Sequence, residues 1–188
     1  MITTQWPGSV RRLRTGFTLA EAAISTIVVA VMMCAALTGV ASTSRSRQVT
    51  TEQQVAHLLA EQLLSEILTK SYWDPASTSS TSLGPSSEEQ ATGNRSLFDD
   101  VDDYHGWLAS PPRHADGTPL AIESGWYRSV TVTFVNFNNL DSPVGTDYGL
   151  KRISVEVGRV RPGGNVSAAK DRRPVATLVA IAGRGRGL

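Results

Sequence analysis

One stretch limits what this chain can become. Residues 14 to 41 read Arg-Thr-Gly-Phe-Thr-Leu-Ala-Glu and then Ala-Ala-Ile-Ser-Thr-Ile-Val-Val-Ala-Val-Met-Met-Cys-Ala-Ala-Leu-Thr-Gly-Val-Ala, and no charged side chain occurs from Ala22 to Ser44. As a helix, the run from Phe17 to Val40 would be about 36 Å long, a membrane-spanning length. Its anomaly is Glu21. An ionised carboxylate in hydrocarbon costs at least about 2.5 kcal/mol and normally faces a partner or a cavity. No Lys, Arg or His follows within helical reach, and Arg14 is the nearest basic residue before it. Cutting the chain between Gly16 and Phe17 would supply a better cation, because the new α-amino group of Phe17 is mostly protonated near neutral pH. Within one straight helix that amine and Glu21 are poorly placed to satisfy each other, so the pairing is cleaner between neighbouring molecules.

Gly16-Phe17-Thr18-Leu19-Ala20-Glu21, preceded by a short basic leader and followed by the uninterrupted apolar run, resembles the class III signal of type IV pilins and type II secretion pseudopilins. The resemblance implies a prepilin peptidase that cuts after Gly16 and methylates Phe17. It also implies that Glu21, at the fifth mature position, helps dock each incoming subunit. The motif covers about the first fifth of the chain. Three plainer readings explain less. A secretory signal peptide puts a short apolar core before a small-residue cleavage site, whereas here the core is long and the polar boundary precedes it. A simple single-pass anchor accounts for the length and leaves Gly16-Phe17 and Glu21 unexplained. Cys34 follows Val31-Met32-Met33 rather than a lipoprotein box, and reads as a small apolar filler.

Charge gives orientation. The expected leader, residues 1–16, holds Arg11, Arg12 and Arg14 and no acid, so the remainder carries 15 basic and 17 acidic residues, a balance of −2. The arginines beside the span place the N-terminus in the cytoplasm and send the rest across the membrane; the resemblance implies that this is the inner membrane and that the head is periplasmic. A single cysteine cannot form an internal disulfide, so packing must hold the exported part together. The net charge gives no nucleic-acid field, and none is expected from the two arginines of the Gly183–Leu188 tail, which reads as disordered.

Beyond the surface marker Ser42–Arg47, helical periodicity resumes. Val55, Leu59, Leu63 and Ile67 form one row at spacing four, with Ala56, Ala60, Leu64 and Leu68 beside it. His57 reads as a solvated helix residue, and Glu66 to Lys70 as a favourable pair. The expectation is one helix from about Phe17 to Trp73, membrane-spanning over 17–41 and amphipathic over 42–73, ended by Asp74-Pro75. Residues 74–188 would form the head. Ala76–Ser96 reads as an exposed flexible loop.

Leu97-Phe-Asp-Asp-Val-Asp-Asp-Tyr-His-Gly-Trp107 follows, with Phe98, Val101, Tyr104 and Trp107 at spacing three. That spacing suits an anchored helical turn whose carboxylates face water or backbone donors, a structural or subunit-contact segment. The alternative is calcium held by Asp99, Asp100, Asp102 and Asp103, although the spacing and glycine of an EF-hand loop are missing. The phrase is similar to minor pilin-like proteins of pilus biogenesis, which tilts the resemblance toward a minor subunit.

The last third reads as strands. Val130, Val132 and Phe134 alternate on one face, as do Ile153, Val155 and Val157, and Pro174–Ala182 makes a third run. Turn-rich connections between them predict an antiparallel sheet with one face on the helix stripe, an α+β fold, which is also the architecture the resemblance implies. Residues 74–148 carry a balance of −8 and residues 149–188 one of +7. These patches could meet on neighbouring subunits or neutralise each other within one head. No nucleophile elbow, phosphate loop or Cys-His pair occurs, and His105 and His114 lack further metal ligands. The expectation is a non-enzymatic filament subunit without cofactor or metal, whose partners are prepilin peptidase, other pilin or pseudopilin subunits and inner-membrane lipid. The rival is a membrane-tethered periplasmic binding module with an uncleaved anchor.

Overall fold

The computed structural model describes residues 18–75, 82–91 and 94–185. The architecture is α+β: a long N-terminal helix, α1 (Leu19–Leu68), then a five-stranded antiparallel sheet. The chain divides into two compact units between Gln48 and Val49.

In the first unit α1 begins at Thr18, whose Oγ1 accepts the Glu21 amide at 3.3 Å while its carbonyl accepts that of Ala22. Thr18-x-x-Glu21 is the sequence of a capping box, and the Thr18 half of it is formed. Every side chain from Thr18 to Thr51 is exposed, Leu19 to 92%. The hydroxyls of this run fold back on the helix, Thr26 onto the Ala22 and Ala23 carbonyls, Thr38 onto Cys34 and Ala35, and Ser44 onto Val40. Polar groups satisfied this way are compatible with hydrocarbon, where water cannot serve them.

In the second unit α1 buries Ala56, Leu59, Ala60, Leu63 and Ile67. The row from Leu59 to Ile67 lies inward as its spacing predicts. In the neighbouring row Leu64 is half-buried and Leu68 exposed, because that row rotates off the sheet. Helix geometry ends at Leu68, five residues before Trp73. The last turn tightens through bonds from Thr69 to the Glu66 carbonyl and from Lys70 to that of Ile67. Ser71 then leaves to form a parallel bridge with Asp100. Asp74-Pro75 therefore does not end the helix; the competing extended partner does.

The sheet runs β1 (Leu108–Ala109), β2 (Trp126–Asn136), β4 (Leu150–Val160), β5 (Arg172–Gly183), with β3 (Asn139–Pro143) also on β2. The three long strands are those the alternation predicts. Val130 pairs with Val155 and Val132 with Ile153, and these side chains with Val157 pack on the helix stripe. The stretch after Asn138 reads as a turn in the sequence, yet it contains β3. Within β4 the register shifts at Gly158, where a β-carbon would collide with the Arg173 carbonyl. The supposed loop before Ser96 holds a short helix, α2 (Ser87–Ala91), capped reciprocally by Ser86 and Glu89. Arg95, expected to be exposed, is buried.

Candidate functional site

Two regions concentrate the functional residues, and they lie in different units. Gly16 and Phe17, the expected cleavage and methylation positions, fall outside the described residues. Glu21 sits in the first turn of α1, where a carboxylate also complements the positive end of the helix dipole. It is the only charged side chain from Leu19 to Ser44 on a helix long and apolar enough to cross a membrane.

The 97–107 segment is built from the turn Asp102–Tyr104, a single 3-10 turn anchored by buried Phe98, Val101 and Tyr104. The Phe98 and Tyr104 rings meet edge to face at 5.0 Å. The carboxylates mostly turn inward rather than to water. Asp103 Oδ2 accepts the amides of Asp99 and Asp100 at 3.0 and 3.1 Å. Asp100 Oδ1 in turn accepts those of Asp102 and Asp103. Burial pushes the Asp100 carboxyl up to about 6, with those amides opposing and the Asp102 charge adding to the rise. Burial likewise raises Asp103 to about 7, against its amide bonds and with the Asp100 charge.

Asp102 has a different task. Its Oδ2 lies 2.8 Å from Lys151 Nζ, and the two side chains are 3% and 1% exposed. Lys151 also donates to the Tyr72 carbonyl and sits 4.0 Å from the centre of that ring. The four acids proposed for calcium are thus divided. Asp99 and Asp100 converge with Asp74, and Asp99 and Asp103 with Glu89, the carboxylate oxygens of each trio lying within 4.8 Å of one another. Such all-oxygen sets have the donor chemistry of a hard cation, and Asp102 belongs to neither. Asp74 and Glu89 could not be found from the sequence, being brought in by the chain reversal after α1 and by α2.

A second buried network joins α1 to this segment. Arg95 grips Glu66 with two bonds, Nε to Oε1 at 2.9 Å and an η-nitrogen to Oε2 at 3.0 Å, and the Tyr104 hydroxyl donates to Oε1. Burial would raise the Glu66 carboxyl, but Arg95, Tyr104 and the Arg128 charge outweigh it and hold it below the usual range. Glu66 therefore pairs with Arg95 and not with Lys70, whose Nζ donates to the Phe98 carbonyl. His57 is exposed, as expected, beside Glu61 at 3.2 Å. His105 accepts the Val132 amide through Nδ1, and exposed His114 does not join it. The oppositely charged halves of the head meet internally in Lys151–Asp102, Arg159–Glu123 and the looser Arg152–Asp141.

An apolar N-terminal helix followed by an antiparallel sheet, with the amphipathic half of the helix packed on it, is a pilin-like arrangement. No family model matches the chain, and neither a curated protein nor a solved structure is significantly similar to it.

Proposed function

We propose that the chain is a structural subunit of a type IV pilus or type II secretion pseudopilus, of the minor kind. The observation that carries this reading is the register of Gly16, Phe17 and Glu21 at the head of an apolar run that carries no other charge before Arg45. In this reading prepilin peptidase removes residues 1–16 and methylates Phe17, and the apolar helix waits in the inner membrane. The Phe17 amine of one subunit meets Glu21 of the next, neutralising an acid that hydrocarbon would otherwise penalise. The exposed apolar surface of α1 then packs on neighbouring helices as the subunit leaves the lipid. The head remains periplasmic until the filament carries it outward. Its role is to pack and be recognised rather than to catalyse.

The test has two stages. Expression beside a prepilin peptidase, followed by intact mass and N-terminal sequencing, should give a chain starting at methylated Phe17. Glu21→Ala should then be processed normally and fail to incorporate into filaments. Normal incorporation of that variant would remove the docking role. A chain that keeps Met1 would instead indicate a permanently tethered periplasmic binding module.

A further inference from the structure

A pocket of about 390 Å³ opens on the head beside β1, its walls including Asn94, Arg95, Trp107, Ser110, Arg113 and His114. Among the described residues lining it there is no Asp or Glu. Arg95, one of its walls, is buried, with its guanidinium 4.3 Å over the Trp107 ring.

Arg128 lies directly behind the same wall. It is the strand partner of Ala109, its guanidinium is 5.8 Å from the Trp107 ring, and it donates to the Arg113 carbonyl. The side chain is 1% exposed, yet no carboxylate lies within ion-pair distance of it among the described residues. Its other bond goes to neutral Gln62 at 3.3 Å, and its Nε has no hydrogen-bond partner among the described residues. Burial first, and then the charge of Arg95, push its proton affinity down to about 10, with Glu66 opposing.

The charge account is therefore open. Two buried guanidiniums share one carboxylate, Glu66, and exposed Arg113 adds another cation at the rim. Buried charge is normally paired. Two arginines, Arg95 and Arg113, line this water-accessible cavity, and the guanidinium has the fork geometry that matches a carboxylate or phosphate. The volume is at the small end for ligand sites. A second head inserting a side chain is a poorer fit, because the lining is polar rather than apolar.

We propose that this pocket binds the oxyanion group, carboxylate or phosphate, of a small hydrophilic molecule. Arg113 clamps the group from the rim, while Arg95 and Arg128 supply the field from behind. The proposal does not rest on the filament reading, because every residue it uses lies in the head.

The test is isothermal titration calorimetry on the full chain in detergent micelles, at constant ionic strength, with inorganic phosphate and with glucuronate as probes. One or both should bind saturably, and the stronger of the two identifies the source of the oxyanion. Arg113→Gln should weaken that binding about tenfold or more, the scale of one charge-assisted contact. This variant keeps the backbone carbonyl that Arg95 and Arg128 use, so circular dichroism should show an unchanged fold. Arg152→Gln, a cation that does not line the pocket, should bind within about twofold of the native chain, as a contact outside the site predicts. Absence of saturable binding by either probe, or equal binding by Arg113→Gln, would overturn the proposal.

Discussion

Lys151→Met offers the sharpest test of how the acidic segment is held. Lys151 and Asp102 form an ion pair sealed from solvent at one end of the buried sheet face, and Lys151 adds a bond to the Tyr72 carbonyl. Removing one member of a buried pair leaves a charge in a medium that solvates it badly, at a cost of about 3 to 5 kcal/mol. For a unit the size of the head, about 3 °C of melting temperature accompanies each kcal/mol, so the midpoint should fall by about 10 °C or more. Thermal unfolding followed by circular dichroism reads this directly. Lys151→Met combined with Asp102→Leu should recover most of the loss, since two apolar groups need no partner. A drop below about 3 °C in the single variant, or no recovery in the double, would refute the claim that this pair is a buried tether.

Three further outcomes follow from the same geometry. Asp100 and Asp103 hold protons up to about pH 6 and 7, above their unfolded value of 3.8, so the native head binds more protons than the unfolded chain between those limits. Stability should therefore fall as pH rises from 5 to 8, and Asp100→Asn with Asp103→Asn should flatten the trend; a head that melts higher at pH 8 would contradict it. Glu66, held below its ordinary 4.5, acts in the opposite sense, its contribution being lost on acidification below that value. Glu66→Gln, which keeps the shape but strands Arg95 and Arg128 without their shared carboxylate, should cost about 3 kcal/mol in urea unfolding. Gly158→Ala, which drives a methyl group against the Arg173 carbonyl, should cost about 1 to 3 kcal/mol by the same measurement.

Much of the architecture could be read along the chain because it rests on local periodicity. An uncharged run, a stripe at spacing four and three alternating strands each declare which face avoids water before any partner is known. The alternation did not reveal that the buried sheet face carries a cation at either end, Arg128 and Lys151. A charged residue in a strand looks solvated until its surroundings are located: the counter-ion of Lys151, Asp102, stands 49 positions away, and Arg128 feels the charge of Glu66, 62 positions away, without an ion pair to it. Glu66 illustrates the limit, since spacing offers it Lys70 and folding gives it Arg95 with a far better geometry.

The apolar run with its single acid, the strand alternation and the acidic phrase are legible along the chain, because each is set by neighbours a few residues apart. The tertiary structure alone decided that the helix stops at Leu68, that Asp102 is a tether while Asp74 and Glu89 join the other acids, and that two arginines stand together behind a pocket. These depend on which distant segments share a low-dielectric interior, where an unpaired charge or an unmet backbone group costs more than any local preference can offset.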